Sequence, residues 1–461
     1  MNKHHFLFAA LVGVAFSLHA TAGHIDEAEA RIAANRFIHH HRTSTGMFKA
    51  ANASSLSLAH VESSATVANA NDYYAFNVAG GGWVLISGEE RAVRVLGYSD
   101  RGYLDFEHLP CNFKALVDGY KHEIECLRSQ SSEWTQSQAS ASAPAAIVAP
   151  FIKSSWGQDK PFNLQCPIYQ NEHCRTGCVA VAMSQVMRYW QYPQSCGSVA
   201  SYFCSKISRT LSTLPPTTFD YNMMPNNYSH WDWDKSELVQ DHYTNEQAQE
   251  VAKLMRYCGQ AVKMAYNPES SGAQVTNQLR AMKDFGYTST KHVTHDYLGV
   301  PTYSNQTWES MMREELDAGR PILYSALDLG AGAHAFICDG YDNEGMFHFN
   351  MGWYGTCDGW YVVSALKMNH YTGLSLHFSI NHEMLIGIEP PAGWEPPTQS
   401  PVGDIDGSGH ADVVDLNILV NLILDHDVKL SSGAQADLNG DNSVDIADVS
   451  LLVDIILKHT S

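Results

Sequence analysis

Basic residues are scarce in this chain: 29 Lys and Arg stand against 49 Asp and Glu, a formal net charge of −20 over 461 residues. That sign repels phosphate backbones and argues against nucleic acid as a partner. Long apolar runs are missing too. Beyond residue 22 no stretch approaches the roughly 18 continuous apolar residues of a membrane-spanning helix. Paired CxxC motifs are absent, so the ten cysteines do not spell a structural zinc site. Glu and Arg are missing from the last 61 residues, which hold eleven Asp and two Lys. Such a compositional break marks a separate module.

At the N-terminus a basic front precedes the apolar segment Phe6 to Leu18 and the small residues Ala20-Thr21-Ala22. This is the three-part pattern of a secretory signal peptide, residues 1–22, and implies export. Export makes disulfides possible for Cys111, Cys126, Cys166, Cys174, Cys178, Cys196, Cys204, Cys258, Cys338 and Cys357. Their pairing stays open; if Cys178 is a free nucleophile, at least one other cysteine is unpaired as well.

Residues 23–145 begin with an amphipathic helix from Ile25 to Arg42. Two strands follow, from Tyr73 and from Trp83, joined by a glycine turn, with a third between Arg91 and Tyr98. The Ser, Gln and Ala of Ser129 to Ala145 have little to bury and form a cleavable linker. Residues 146–388 have the composition of an enzyme-sized unit. A strand from Ala335 to Asp342 turns at Asn343-Glu344-Gly345 into a second, Met346 to Asn350, and a helix runs from Asn245 to Met264. The proline-rich stretch 389–402 is a spacer, and residues 403–461 are a repeat with a period of 33.

Within the large unit, Thr176-Gly177-Cys178-Val179-Ala180 opens a run in which Val179, Ala182, Met183, Val186 and Trp190 recur at steps of three and four. Cys178 therefore sits at the N-terminus of a helix with one apolar face, where the helix dipole favours a thiolate. Cysteine-based acyl transfer also needs an imidazole and oxyanion donors. His334, where a glycine-rich loop enters a strand, is the candidate base. It lies 156 residues after Cys178, near the separation of about 130 to 150 in papain-like enzymes. Gln158 offers an amide for the oxyanion beside the Cys178 N–H, and Asn350 and Trp353 are placed to orient or shield the imidazole.

Taken in order, Trp156-Gly-Gln158, Pro161-Phe-Asn163, Thr176-Gly-Cys178, Ala333-His334-Ala-Phe, His348-Phe-Asn350 and Gly352-Trp353-Tyr-Gly resemble the streptopain family of secreted bacterial cysteine peptidases, interpain-type enzymes included. The resemblance covers about residues 147 to 385. It implies an α+β architecture in which a papain-like domain follows an α+β propeptide. Cys178 would be the nucleophile, His334 the base, Gln158 the oxyanion donor, and residues 23–145 the inhibitory propeptide of a zymogen acting on protein substrates. Where the family has its first Trp beside the catalytic histidine, this chain has Met351. An inactive papain-like binding component is the alternative reading.

The terminal repeat supplies oxygen donors at loop positions 1, 3, 5, 9 and 12: Asp404, Asp406, Ser408, Asp412 and Asp415, then Asp437, Asn439, Asp441, Asp445 and Asp448. Such a loop wraps one calcium ion, so two are expected, and the peptidase chemistry itself needs no cofactor. The pattern resembles a type I dockerin, a small all-α module, and the resemblance implies a cohesin-bearing scaffold as partner. Positions 10 and 11, Val413-Val414 and Ile446-Ala447, leave the cohesin open.

Overall fold

The structure is a computed structural model that describes residues 23–44, 47–48, 56–129, 148–232, 237–297, 300–328, 332–364, 380–396, 403–405, 411–424, 436–439 and 444–459. The signal-peptide segment and the linker from 130 to 147 lie outside them.

The first helix, α1 (Glu27–Ser44), starts at a reciprocal cap. Asp26 accepts the Glu29 N–H at 2.8 Å and the Glu29 side chain accepts the Asp26 N–H at 3.2 Å, which satisfies two of the helix's orphan donors. Strands β1 (Leu56–Ser63), β2 (Asn71–Val78), β3 (Trp83–Ser87) and β4 (Val95–Ser99) form a meander, and α2 (Cys111–Ser129) packs across it. The expected strands from Tyr73 and Trp83 are β2 and β3. The third begins only at Val95.

In the larger unit α3 (Cys178–Trp190), α4 (Asn245–Ala261), α5 (Val275–Asp284) and α6 (Asn305–Asp317) surround six strands of the main sheet. These are β5 (Lys291–Thr294), β6 (Ile322–Asp328), β7 (Gly332–Tyr341), β8 (Phe347–Asn350) and β9 (Gly359–Tyr361), with β10 (Ile380–Ile386) closing the set. The hairpin at Asn343-Glu344-Gly345 is β7 and β8. Strand β7 starts earlier than the sequence suggests, so His334 lies inside it, paired with Ala326 of β6, rather than in a loop.

Both units share one antiparallel sheet in the order β1-β2-β3-β4-β9-β8-β7-β6-β10-β5. The joint is short: Tyr98 pairs with Trp360 and Gly97 with Tyr361. One apolar core runs across it, in which Trp83, Phe113 and Tyr361 meet at ring distances of 5.6 to 6.1 Å. A second core lies around α3. The proline-rich spacer is pinned at Trp394. Trp394 donates to the Trp190 carbonyl at 3.2 Å and packs on Tyr192 at 4.9 Å.

At the C-terminus α7 (Val413–Ile423) and α8 (Ile446–His459) enclose a small core of Ile405, Leu419, Ala436 and Leu452. No helix among the described residues is long and apolar enough to cross a membrane.

Candidate active site

Gly177 is the residue before α3, and its backbone sits at φ +86°. An L side chain there is strained, and a Cβ would also come within 2.6 Å of the Met264 sulfur. Glycine thus lets the chain turn sharply into the helix and leaves Cys178 at its N-terminus. The thiol is nearly covered, at 9% exposure. Its Sγ accepts the N–H of Ala335 at 3.4 Å, which places β7 and its half-buried His334 directly against the helix terminus.

Gln158 is buried, and its carbonyl accepts the Thr176 N–H at 3.1 Å. This ties it alongside the turn that delivers Cys178. Tyr354 clasps the same loop: its hydroxyl accepts the Asp159 N–H at 3.1 Å, and its N–H reaches the Trp156 carbonyl at 3.3 Å. A Cβ on Gly157 would fall 2.3 Å from the Tyr354 ring. Gly157→Ala is therefore expected to shift the Gln158 backbone and lower kcat about tenfold with KM nearly unchanged. Steady-state kinetics on a fluorogenic peptide checks the split.

Asn350 is buried and bonded on both ends of its amide. Its Oδ1 accepts Gln185 Nε2–H at 3.0 Å and the Gly352 N–H at 3.1 Å, while its Nδ2 donates to the Ser154 carbonyl at 2.9 Å. The amide is committed to α3 and to the segment leading to Gln158. Trp353 lies under the Arg175 guanidinium at 5.8 Å, and Arg175 in turn holds Asp159 at 3.0 Å. Met351 is buried in the core shared with residues 23–129, its N–H on Asp358 Oδ1 at 2.7 Å. A cavity of about 430 Å³ separates Tyr103, His108 and Leu109 from Arg175, Trp353 and Tyr354.

Residues 23–129 thus cover the edge of the site. Gln185 and Arg175 were not singled out from the sequence. The only signal for Gln185 was a polar residue inside an apolar run, two turns after Cys178.

Cys166, Cys174, Cys196, Cys204, Cys258, Cys338 and Cys357 form no disulfide. Burial pushes the thiols of Cys166 and Cys258 up to about 12 and that of Cys174 up to about 11. It carries Cys338 and Cys357 well above the ordinary thiol value too. These five are protonated and inert at neutral pH.

In the C-terminal repeat, Asp415 accepts the Ile405 N–H at 2.6 Å and the Asp412 N–H at 2.7 Å. Thirty-three residues on, Asp448 does the same for Leu438 at 2.7 Å and Asp445 at 2.9 Å. Asp404, Asp415 and Asp448 are buried. Asp437 and Asn439 are described, whereas Asp406, Ser408 and Asp441 lie outside the described residues. Among the described residues no three His, Cys, Asp or Glu side chains converge as a metal cluster.

Residues 156–361 match the model of the Peptidase C10 family, and residues 22–124 that of the Spi protease inhibitor. The thiol protease/hemagglutinin PrtT of Porphyromonas gingivalis is 28% identical over 334 residues, 68% of this chain and 36% of that protein. Streptopain of Streptococcus pyogenes is 28% identical over 322 residues, 64% of this chain and 75% of the relative. The chain therefore spans about a third of PrtT and three quarters of streptopain. A solved fragment of Prevotella intermedia prointerpain A superposes with a TM-score of 0.59 at 26% identity, covering 72% of this chain and 99% of the fragment. Residues 156–361 thus match a cysteine peptidase family and the residues ahead of them a protease-inhibitor family, the arrangement of a peptidase zymogen.

Proposed function

We propose that Cys178 is the nucleophile, His334 its base, and Gln158 with the Cys178 N–H the oxyanion donors of a secreted endopeptidase. The supporting observation is the contact at the start of α3. The Ala335 N–H points at Cys178 Sγ, one residue from His334, while the Gln158 carbonyl is tied to Thr176. The Cys178 sulfur attacks the peptide carbonyl carbon, the His334 proton passes to the leaving amine as the C–N bond breaks, and a thioester remains. Water, deprotonated by His334, then releases the acid and the thiol.

An irreversible thiol-directed epoxide tests this. One label per chain is expected, mapped to Cys178 and lost in His334→Ala. Label on another cysteine, or uptake that ignores His334, overturns the assignment.

The terminal repeat is read as a calcium-holding dockerin-like module that attaches the enzyme to a cohesin-bearing scaffold outside the cell. The donors, Asp404, Asp406, Ser408, Asp412 and Asp415 with Asp437, Asn439, Asp441, Asp445 and Asp448, are all oxygen, which suits a hard cation. Asp404, Asp415 and Asp448 are buried, and a cation beside each loop would offset the cost of burying their charge. A bound ion would order each loop against its helix. Val413, Val414 and Ile446, at 64%, 52% and 72% exposure, offer apolar contacts at the two helix starts.

Adding a chelator is expected to lower the module's melting temperature by several degrees, since binding at about 100 times Kd is worth about 2.7 kcal/mol. A transition that ignores the chelator counts against calcium.

A further inference from the structure

One fully buried amide in α3 is left unused by the chemistry above. Gln185 lies two helical turns after Cys178 and is 0% exposed. Its Oε1 accepts the Ser154 hydroxyl at 3.0 Å and the Trp156 N–H at 3.2 Å. Its Nε2 donates to Asn350 Oδ1 at 3.0 Å. Asn350 completes the net through the Ser154 carbonyl at 2.9 Å and the Gly352 N–H at 3.1 Å.

Three segments therefore meet on two side-chain amides. They are the stretch 154–156 that leads to Gln158, the helix that presents Cys178, and the turn after β8 that leads to Trp353. An apolar side chain of the same length would fill the space but leave the Ser154 hydroxyl and the Trp156 N–H unpaired, and Asn350 Oδ1 with the Gly352 N–H alone. Buried polar groups in that state move to recover partners. Two of these groups, on Ser154 and Trp156, stand on the segment that leads to Gln158.

We propose that Gln185 is a positioning residue. Its amide sets the spacing between the Gln158 loop and Cys178, and so the closure of the oxyanion donors on the tetrahedral intermediate. This rests on the roles given above to Cys178 and Gln158.

The test uses mature enzyme released from the full chain, with active sites counted by the epoxide label. Hydrolysis and binding of a peptide aldehyde both need the oxyanion donors, because the hemithioacetal places an oxygen there. Alkylation by iodoacetamide needs only the thiolate. For Gln185→Met, kcat per active site should fall about 10- to 100-fold and the aldehyde Ki should rise in parallel. KM and the iodoacetamide rate should stay within about threefold of the parent.

Gln185→Glu supplies a second readout that does not depend on the first variant folding. Its carboxyl keeps the acceptor for Ser154 and Trp156, but donates to Asn350 only when protonated. Its activity relative to the parent should therefore recover as the pH falls. A lower melting temperature with unchanged kcat and aldehyde Ki per titrated site would reduce Gln185 to packing, and a pH-independent deficit in Gln185→Glu would do the same. If the parent's label maps to a cysteine other than Cys178, the nucleophile assignment falls instead.

Discussion

The Cys178→Ala chain is expected to cleave no casein and to stay uncut through purification, its turnover lower by about four to six orders of magnitude. The loss should be near complete because five other thiols are buried and held protonated. Cys166 and Cys258 are pushed up to about 12 and Cys174 up to about 11 by burial, so their thiolates are scarce at neutral pH. Uncut chain should accumulate because the cut that frees the mature enzyme is read as self-inflicted. The structure brackets that cut. Val148 is hydrogen-bonded both ways to Tyr341, at 2.9 and 3.0 Å, and the Ile152 N–H is held by Asp339 at 2.9 Å. Val148 bridges the last residue of β7, and α2 ends at Ser129. The mature N-terminus should fall between 130 and 148, which mass spectrometry of the processed protein reads directly. Parent enzyme added in trans should cut the variant there, since its linker is unchanged. Processing that persists in purified Cys178→Ala would exclude self-activation.

Local features of this protein were readable because they follow from short-range rules. The three-and-four spacing of Val179, Ala182, Met183 and Val186 gave α3 its bounds, and the turn at Asn343-Glu344-Gly345 gave the β7–β8 hairpin. The period of 33 found two loop–helix units whose caps repeat residue for residue, Asp415 on Asp412 and Asp448 on Asp445. What the sequence hid is long-range. Nothing in Val95 to Ser99 marks Trp360 and Tyr361 as its neighbours, because the edge of a strand presents the same N–H and C=O groups to any partner. The partners of Asn350 were hidden for a similar reason. A side-chain amide both donates and accepts, and here Ser154 accepts from it and Gln185 donates to it, both far away in sequence. Trp394 was hidden by composition: prolines around it read as a spacer, while its ring had Tyr192 to pack on.

The hidden joint between β4 and β9 carries the second large effect. Gly97→Val is expected to release the inhibitor domain's grip, so that the uncut chain hydrolyses a small fluorogenic peptide about 10- to 100-fold faster than the uncut parent. The joint has only two residue pairs, and both flanks are glycine for steric reasons. A Cβ at Gly97 would stand 2.6 Å from the Tyr361 ring and 2.9 Å from the Trp360 carbonyl. Across the joint, one at Gly359 would stand 2.7 Å from the Tyr98 carbonyl. A valine would force the strands apart and weaken the ties beside them: the Val362 N–H on the Leu96 carbonyl at 3.1 Å, and the Tyr98 hydroxyl on Asp342 at 3.0 Å. Overpacking of this kind costs about 1 to 3 kcal/mol. The same energy taken from the closed zymogen gives the stated gain in activity. The inhibitor domain's own strands, β1 to β3, keep their ladders, so a thermal scan should still show a folded chain. If that folded variant is as silent as the parent before any cut, the sheet joint does not hold the zymogen closed. Latency would then rest on the contacts of Tyr103 to Leu109 over the cavity beside Arg175 and Trp353.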